Sequence, residues 1–91
     1  MLIKFKEIVL QNAFKKGEEI IGYECRDIDA VLNVNHIVSV TLGNAIKRKT
    51  SESVFSEWNN IYQVSMSDGK KFLVDALDKN NECLLLSLNL R

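Results

Sequence analysis

The stretch IYQVSMSDGKKFLV, residues 61–74, decides the fold. Tyr62, Val64 and Met66 alternate with Gln63 and Ser65, Phe72 and Val74 repeat the alternation, and an Asp-Gly pair separates the two runs. Alternation with period two marks a strand with one buried face, and Asp-Gly between two such runs marks a β-hairpin. A two-residue loop at Asp68-Gly69 would set Ser65 opposite Phe72 and Tyr62 opposite Asp75, mixing polar and apolar side chains on both faces. A three-residue loop, Ser67-Asp68-Gly69, instead sets Met66 opposite Lys70, Val64 opposite Phe72 and Tyr62 opposite Val74. Register follows the buried face, so the sequence predicts a type I turn with Gly69 in the left-handed region, forming a G1 bulge.

Upstream, AVLNVNHIVSVTL (residues 30–42) carries apolar residues at every even position except His36. One long half-buried strand fits, and so do two strands broken at Asn35-His36, because Asn and His tolerate left-handed backbone better than most residues; a strand kinked or tightly turned there is preferred. His36 is expected at a strand end in a structural role. The first sixteen residues are ambiguous: Phe5, Ile8, Val9 and Ala13 have helical spacing, but IKFKEIVL has a strand-like start and Lys16-Gly17 suits a hairpin turn. Strands are preferred, with Glu18 to Asp29 as the return strand. At the other end Leu84, Leu86, Leu88 and Leu90 alternate. A strand is expected there, although Leu84, Leu85 and Leu88 also fit a helix, and Asp78-Lys79-Asn80-Asn81 is either a turn or a helix cap. Lys47 to Ser53 contains no apolar residue and reads as an exposed, mobile loop tip, with Trp58 at least partly buried where the chain re-enters the sheet.

The expected architecture is a mainly β, antiparallel bent sheet or small barrel of about five or six strands, with at most one short terminal helix. Its predicted core is Ile3, Phe5, Ile21, Tyr23, Ile28, Leu32, Val34, Ile37, Val40, Tyr62, Val64, Phe72, Val74, Leu84, Leu86 and Leu88. With 91 residues the whole chain, 1–91, is expected to be one domain. Twelve basic and twelve acidic residues balance to zero, giving no overall field to draw in DNA or an anionic membrane. No apolar run approaches the roughly 20 residues of a membrane span. The N-terminus lacks a signal-peptide core, so a cytoplasmic location is the expectation.

The chemistry-bearing residues are sparse. Cys25 and Cys83 are too few for a disulfide framework and too far apart in sequence for a zinc motif; reduced thiols are expected. Asp27 and Asp29 share a strand face, which reads as solvated. The glycines stand singly, so there is no phosphate loop. No nucleophile–base pair or metal-ligand set is evident, and neither catalytic residues nor a cofactor are expected. The expected function is a small non-catalytic protein-interaction module, working as a homo-oligomer or complex subunit through unpaired strand edges. The alternative is a nucleic-acid-binding regulator using Lys47, Arg48, Lys49, Lys70 and Lys71, with nearby aromatics for base stacking.

VLNVNHIVSV, followed after an insertion by YQVSMSDGKKFLV, resembles the small flagellar FlbD family and the LytTR-type β-domains, over residues 31–74. The matching residues are Val34, Asn35, Ile37, Val40, Asp68, Gly69, Lys71 and Val74. The resemblance implies a strand, an Asn-containing turn, a second strand and an Asp-Gly hairpin, hence a β-rich core. It carries over no catalytic residue. The chain departs from the pattern in its N-terminal extension, its 47–60 insertion and its C-terminus.

Overall fold

A computed structural model describes residues 1–51 and 54–90. Its spine is one long hairpin of β1 (Leu2–Lys16) and β2 (Glu19–Asn33), paired antiparallel from Leu2↔Asn33 to Lys16↔Glu19 and turning at Gly17. A 3-10 turn, Val34–His36, leads into β3 (Ile37–Leu42), with the Asn33 side chain accepting the Asn35 N–H. β4 (Ile46–Ser51) and β5 (Val54–Trp58) form a second hairpin. β6 (Ile61–Met66) and β7 (Lys71–Asp75) form the third, and a short α1 (Glu82–Ser87) closes the described chain. The strand order is β3-β6-β7-β1-β2-β4-β5. The sheet is open, with β3 and β5 as its edges. It has seven strands where five or six were expected, and one pair, Tyr23 on β2 with Arg48 on β4, runs parallel.

The β6–β7 register is the one the alternation predicts: Tyr62↔Val74, Val64↔Phe72, Ser65↔Lys71. The Gly69 N–H donates to the Met66 carbonyl at 3.0 Å, and the Asp68 side chain accepts the Lys70 N–H at 2.9 Å. Gly69 has φ +90°, a conformation that strains any residue with a Cβ.

β1 and β7 meet in a single pair, Ile8↔Leu73, so the sheet bends at a corner there. Phe5 comes edge-on to Phe72 across that bend, ring centres 5.5 Å apart. Inside lie Ile3, Phe5, Leu32, Val64, Val74 and Leu84, with Val34, Ile37, Val40, Tyr62, Phe72 and Leu88 half-buried against them. Ile21, Tyr23 and Ile28 are only half-buried, because β1 contributes to that cluster only near its start and β2 only near its end, and β4 and β5 not at all.

Two element assignments fail. The C-terminal strand is a helix. Asp78 accepts the Asn80 N–H before it, and Asn89, at φ +57°, ends it, with Leu90 N–H on the Leu85 carbonyl and Asn89 N–H on the Leu86 carbonyl. This is the Schellman arrangement, with Asn in place of Gly. Helical period then buries the adjacent Leu84 and Leu85 and leaves Leu86 exposed at 53%, against its predicted core place. Second, Lys47 to Ser51 is strand, not loop; the rest of the expected loop tip, residues 52–53, lies outside the described residues. The break within 30–42 falls at the anticipated Asn35-His36, as a 3-10 turn that separates β2 from β3.

Candidate interaction surfaces

Strand alternation splits the basic run of β4. Lys47 and Lys49 project from one face and Arg48 from the other. The Arg48 guanidinium lies over the Trp58 ring, 4.3 Å from its centre, and the Trp58 indole N–H donates to Asp75 Oδ2 at 2.8 Å. Trp58 is half-buried, as its position at the sheet re-entry predicts. On the opposite face the Lys49 ammonium sits 4.7 Å above Phe14, which meets Phe55 edge-on at 5.7 Å. Phe55 in turn covers Gly22: a Cβ built there would run into its ring. Lys70 and Lys71 sit at the β6–β7 hairpin tip, and β7 is separated from β4 by β1 and β2. The five cations are therefore spread over two faces and two parts of the sheet, and two of them rest on aromatic rings.

The carboxylates divide by partner. Asp29 Oδ1 meets the Lys6 ammonium at 2.7 Å; this contact holds Asp29 below the ordinary carboxylate value and raises Lys6. Asp27, on the same strand face, is pushed up by burial and by the charge of Asp78, with Arg48 opposing. Burial also raises the Cys25 thiol, again against Arg48. Cys25 and Cys83 are both free, half-buried and exposed respectively. His36 ends the 3-10 turn just before β3 and is exposed; its carbonyl accepts the Ser67 N–H. Among the described residues no group of three His, Cys, Asp or Glu is placed to hold a metal ion, and no helix is long and apolar enough to cross a membrane.

The two edges differ in character. β5 carries Glu57 and pairs it with Lys47. β3 carries no charge, and no Asp, Glu, Lys or Arg occurs between Asp29 and Lys47. Its Val38 and Leu42 are 68% and 70% exposed, among the most exposed large aliphatics described. Val38 is the extra residue of a bulge between Ile37↔Met66 and Ser39↔Ser65; beyond it, Ser39 to Leu42 pair regularly with β6. Natural edges are blunted by charge, proline or bulges. β3 has only the bulge, at its first residues. Sequence reasoning anticipated unpaired edges without locating them, although the long uncharged run points to this one. A second apolar surface lies where Met1, Leu2, Cys83 and Leu86 line an open groove.

No protein-family model, curated protein or solved structure matches the chain.

Proposed function

We propose that this chain is a small non-catalytic interaction module that recruits a protein strand along β3. The observation that carries the reading is an uncharged edge with Val38 and Leu42 standing largely in solvent. The outward N–H and C=O groups of an edge strand give a partner strand main-chain hydrogen bonds, and exposed aliphatics give it apolar area. The edge pairs with β6, whose Val64 belongs to the buried cluster, so it presents a fixed template. The scattered cations supply less support for a phosphate-binding surface, which gains from several cations on one track.

The test compares wild type with Val38→Lys/Leu42→Lys. Both positions are mostly exposed, so the variant should melt within a few degrees of wild type. A protein that co-purifies with wild type should be lost with this variant and kept with Lys47→Glu/Lys49→Glu. Retention by the β3 variant would overturn the reading, as would a steeply salt-dependent shift with generic DNA or RNA.

A further inference from the structure

Resting on the reading of β3 as the working edge, we propose that its occupant is a second copy of the same chain, the two β3 strands lying antiparallel about a two-fold axis through Val40. A two-fold contact brings one surface patch against itself. Any charged side chain on a self-pairing edge is therefore brought into the neighbourhood of its own copy, and like charges across a ladder are unfavourable. β3 meets this requirement and β5, with Glu57, does not. The chain's net charge of zero adds no long-range repulsion between copies.

The side-chain pattern also selects a register. Val40 and Leu42 pair with Val64 and Tyr62 and so share one face of the sheet; Ser39 and Thr41 pair with Ser65 and Gln63 on the other. Directly opposed residues point to the same face. A self-pairing that keeps apolar with apolar must then match even with even positions. Centring it on Val40 sets Val40 against the partner's Val40 and Ser39 against the partner's Thr41 in regular pairs, and brings Leu42 alongside the partner's Val38 at the bulge. That register covers the two exposed aliphatics of the edge with each other and leaves a hydroxyl pair on the polar face. Shifting it by two residues in either direction leaves Val38 or Leu42 without an apolar partner. The result is one continuous sheet running through both copies. A contact of one short strand lies at the small end of specific interfaces, so its dissociation constant should fall in the micromolar range.

The experiment is light scattering and sedimentation of the full chain across the micromolar range, with charge exchange at the edge. Wild type should form a dimer and stop there. Val38→Lys/Leu42→Lys, which faces lysine with lysine twice, should weaken the dimer at least about tenfold, as should Val38→Glu/Leu42→Glu. Mixing the two variants should restore a one-to-one pair. The register is read separately: Ser39→Cys mixed with Thr41→Cys, in a Cys25→Ser/Cys83→Ser background, should cross-link between the two chain types faster than either does alone. This second measurement holds even where the lysine pair disturbs folding. A wild type that stays monomeric, a dimer indifferent to the lysine pair, or growth beyond dimers by β3 joining β5 would each overturn the inference. A monomer that still loses a foreign protein partner on β3 substitution overturns the self-pairing alone. A dimer and a protein partner both indifferent to it overturn the edge reading as well.

Discussion

Replacing Asn81 tests how the sheet is held together where β1 meets β7. Asn81 is fully buried, the one buried polar side chain among the described residues. Its Oδ1 accepts the Lys6 N–H at 2.7 Å, and its Nδ2 donates to the Asp75 carbonyl at 2.9 Å. Lys6 lies on β1 two residues before Ile8, the pair at which β1 meets β7, and Asp75 is the last residue of β7. The side chain thus takes the hydrogen bonds that the two strands stop giving each other at the corner. Asn81 stands at the N-cap of α1 but makes no side-chain cap bond, so its loss removes no helix cap. Asn81→Ala leaves one N–H and one C=O unpaired in a partly buried setting, each worth about 1–3 kcal/mol, or about 2–4 kcal/mol together after some relaxation. A domain of 91 residues has a total stability of roughly 5–14 kcal/mol, and its midpoint should drop by about 10–25 °C. Asn81→Asp keeps the acceptor for Lys6 but buries a charge that cannot donate to Asp75. It should be worse than alanine at neutral pH and recover as acid protonates it, because its folded pKa is raised above its unfolded one. Urea unfolding at several pH values measures both. A loss below about 1 kcal/mol for Asn81→Ala, or an Asn81→Asp variant indifferent to pH, would refute the corner account.

Three further outcomes are expected. Gly22→Ala should destabilise by about 1–3 kcal/mol, because the added Cβ meets the Phe55 ring. In a cycle with Phe55→Ala that loss should shrink by at least about 0.5 kcal/mol, and strict additivity of the melts would contradict the contact. Asp27→Asn should raise the melting temperature at neutral pH. The folded carboxyl titrates above its ordinary value of 3.8, so its ionised form is the disfavoured one, and the gain should vanish as pH falls below that value; a lower neutral-pH midpoint would count against it. Amide exchange should be faster along β4 and β5 than along β6 and β7, since the buried apolar side chains lie with the latter; equal protection would refute that division.

Local patterns were legible where one face of the chain is wet and the other dry. The β6–β7 register could be argued to the residue because alternation and an Asp-Gly turn agree. At the N-terminus Phe5 and Ile8 look helical because the corner buries both faces of β1 there, and an unpaired Gln11 then shifts the phase of its pairing with β2. The β4 segment looked like a loop because a strand exposed on both sides has no alternation to show. The C-terminal leucines satisfy both periods, and the deciding signal was Asn89, a residue able to end a helix in the left-handed region. The open edge could not be read from any local window. Which strand lies outermost follows from the pairing order of the entire sheet, and only the absence of charge along β3 marks it in sequence.

The two halves of the long hairpin are held together by different physics, and this bears on which edge can recruit a strand. Every buried apolar side chain among the described residues comes from positions 3–8, 32, 61–74 or 84–85. Between Ile8 and Leu32 the buried position is a glycine, Gly22, under an aromatic ring. The β4–β5 hairpin is therefore steadied by Phe55 on Gly22, Lys49 over Phe14, Arg48 over Trp58 and the Trp58 N–H on Asp75 of β7, contacts that bury little area. Cation–aromatic contacts at exposed sites contribute about 0.5–1 kcal/mol each, against about 1.5–3 kcal/mol for a fully buried aliphatic side chain. A strand added to β5 would have to order a thin layer as it bound, and that ordering subtracts from affinity. β3 is hydrogen-bonded to β6, whose Ile61 and Val64 are fully enclosed. The uncharged edge is also the one already fixed by the core, so the side chains that permit self-pairing sit on the backbone best prepared for it.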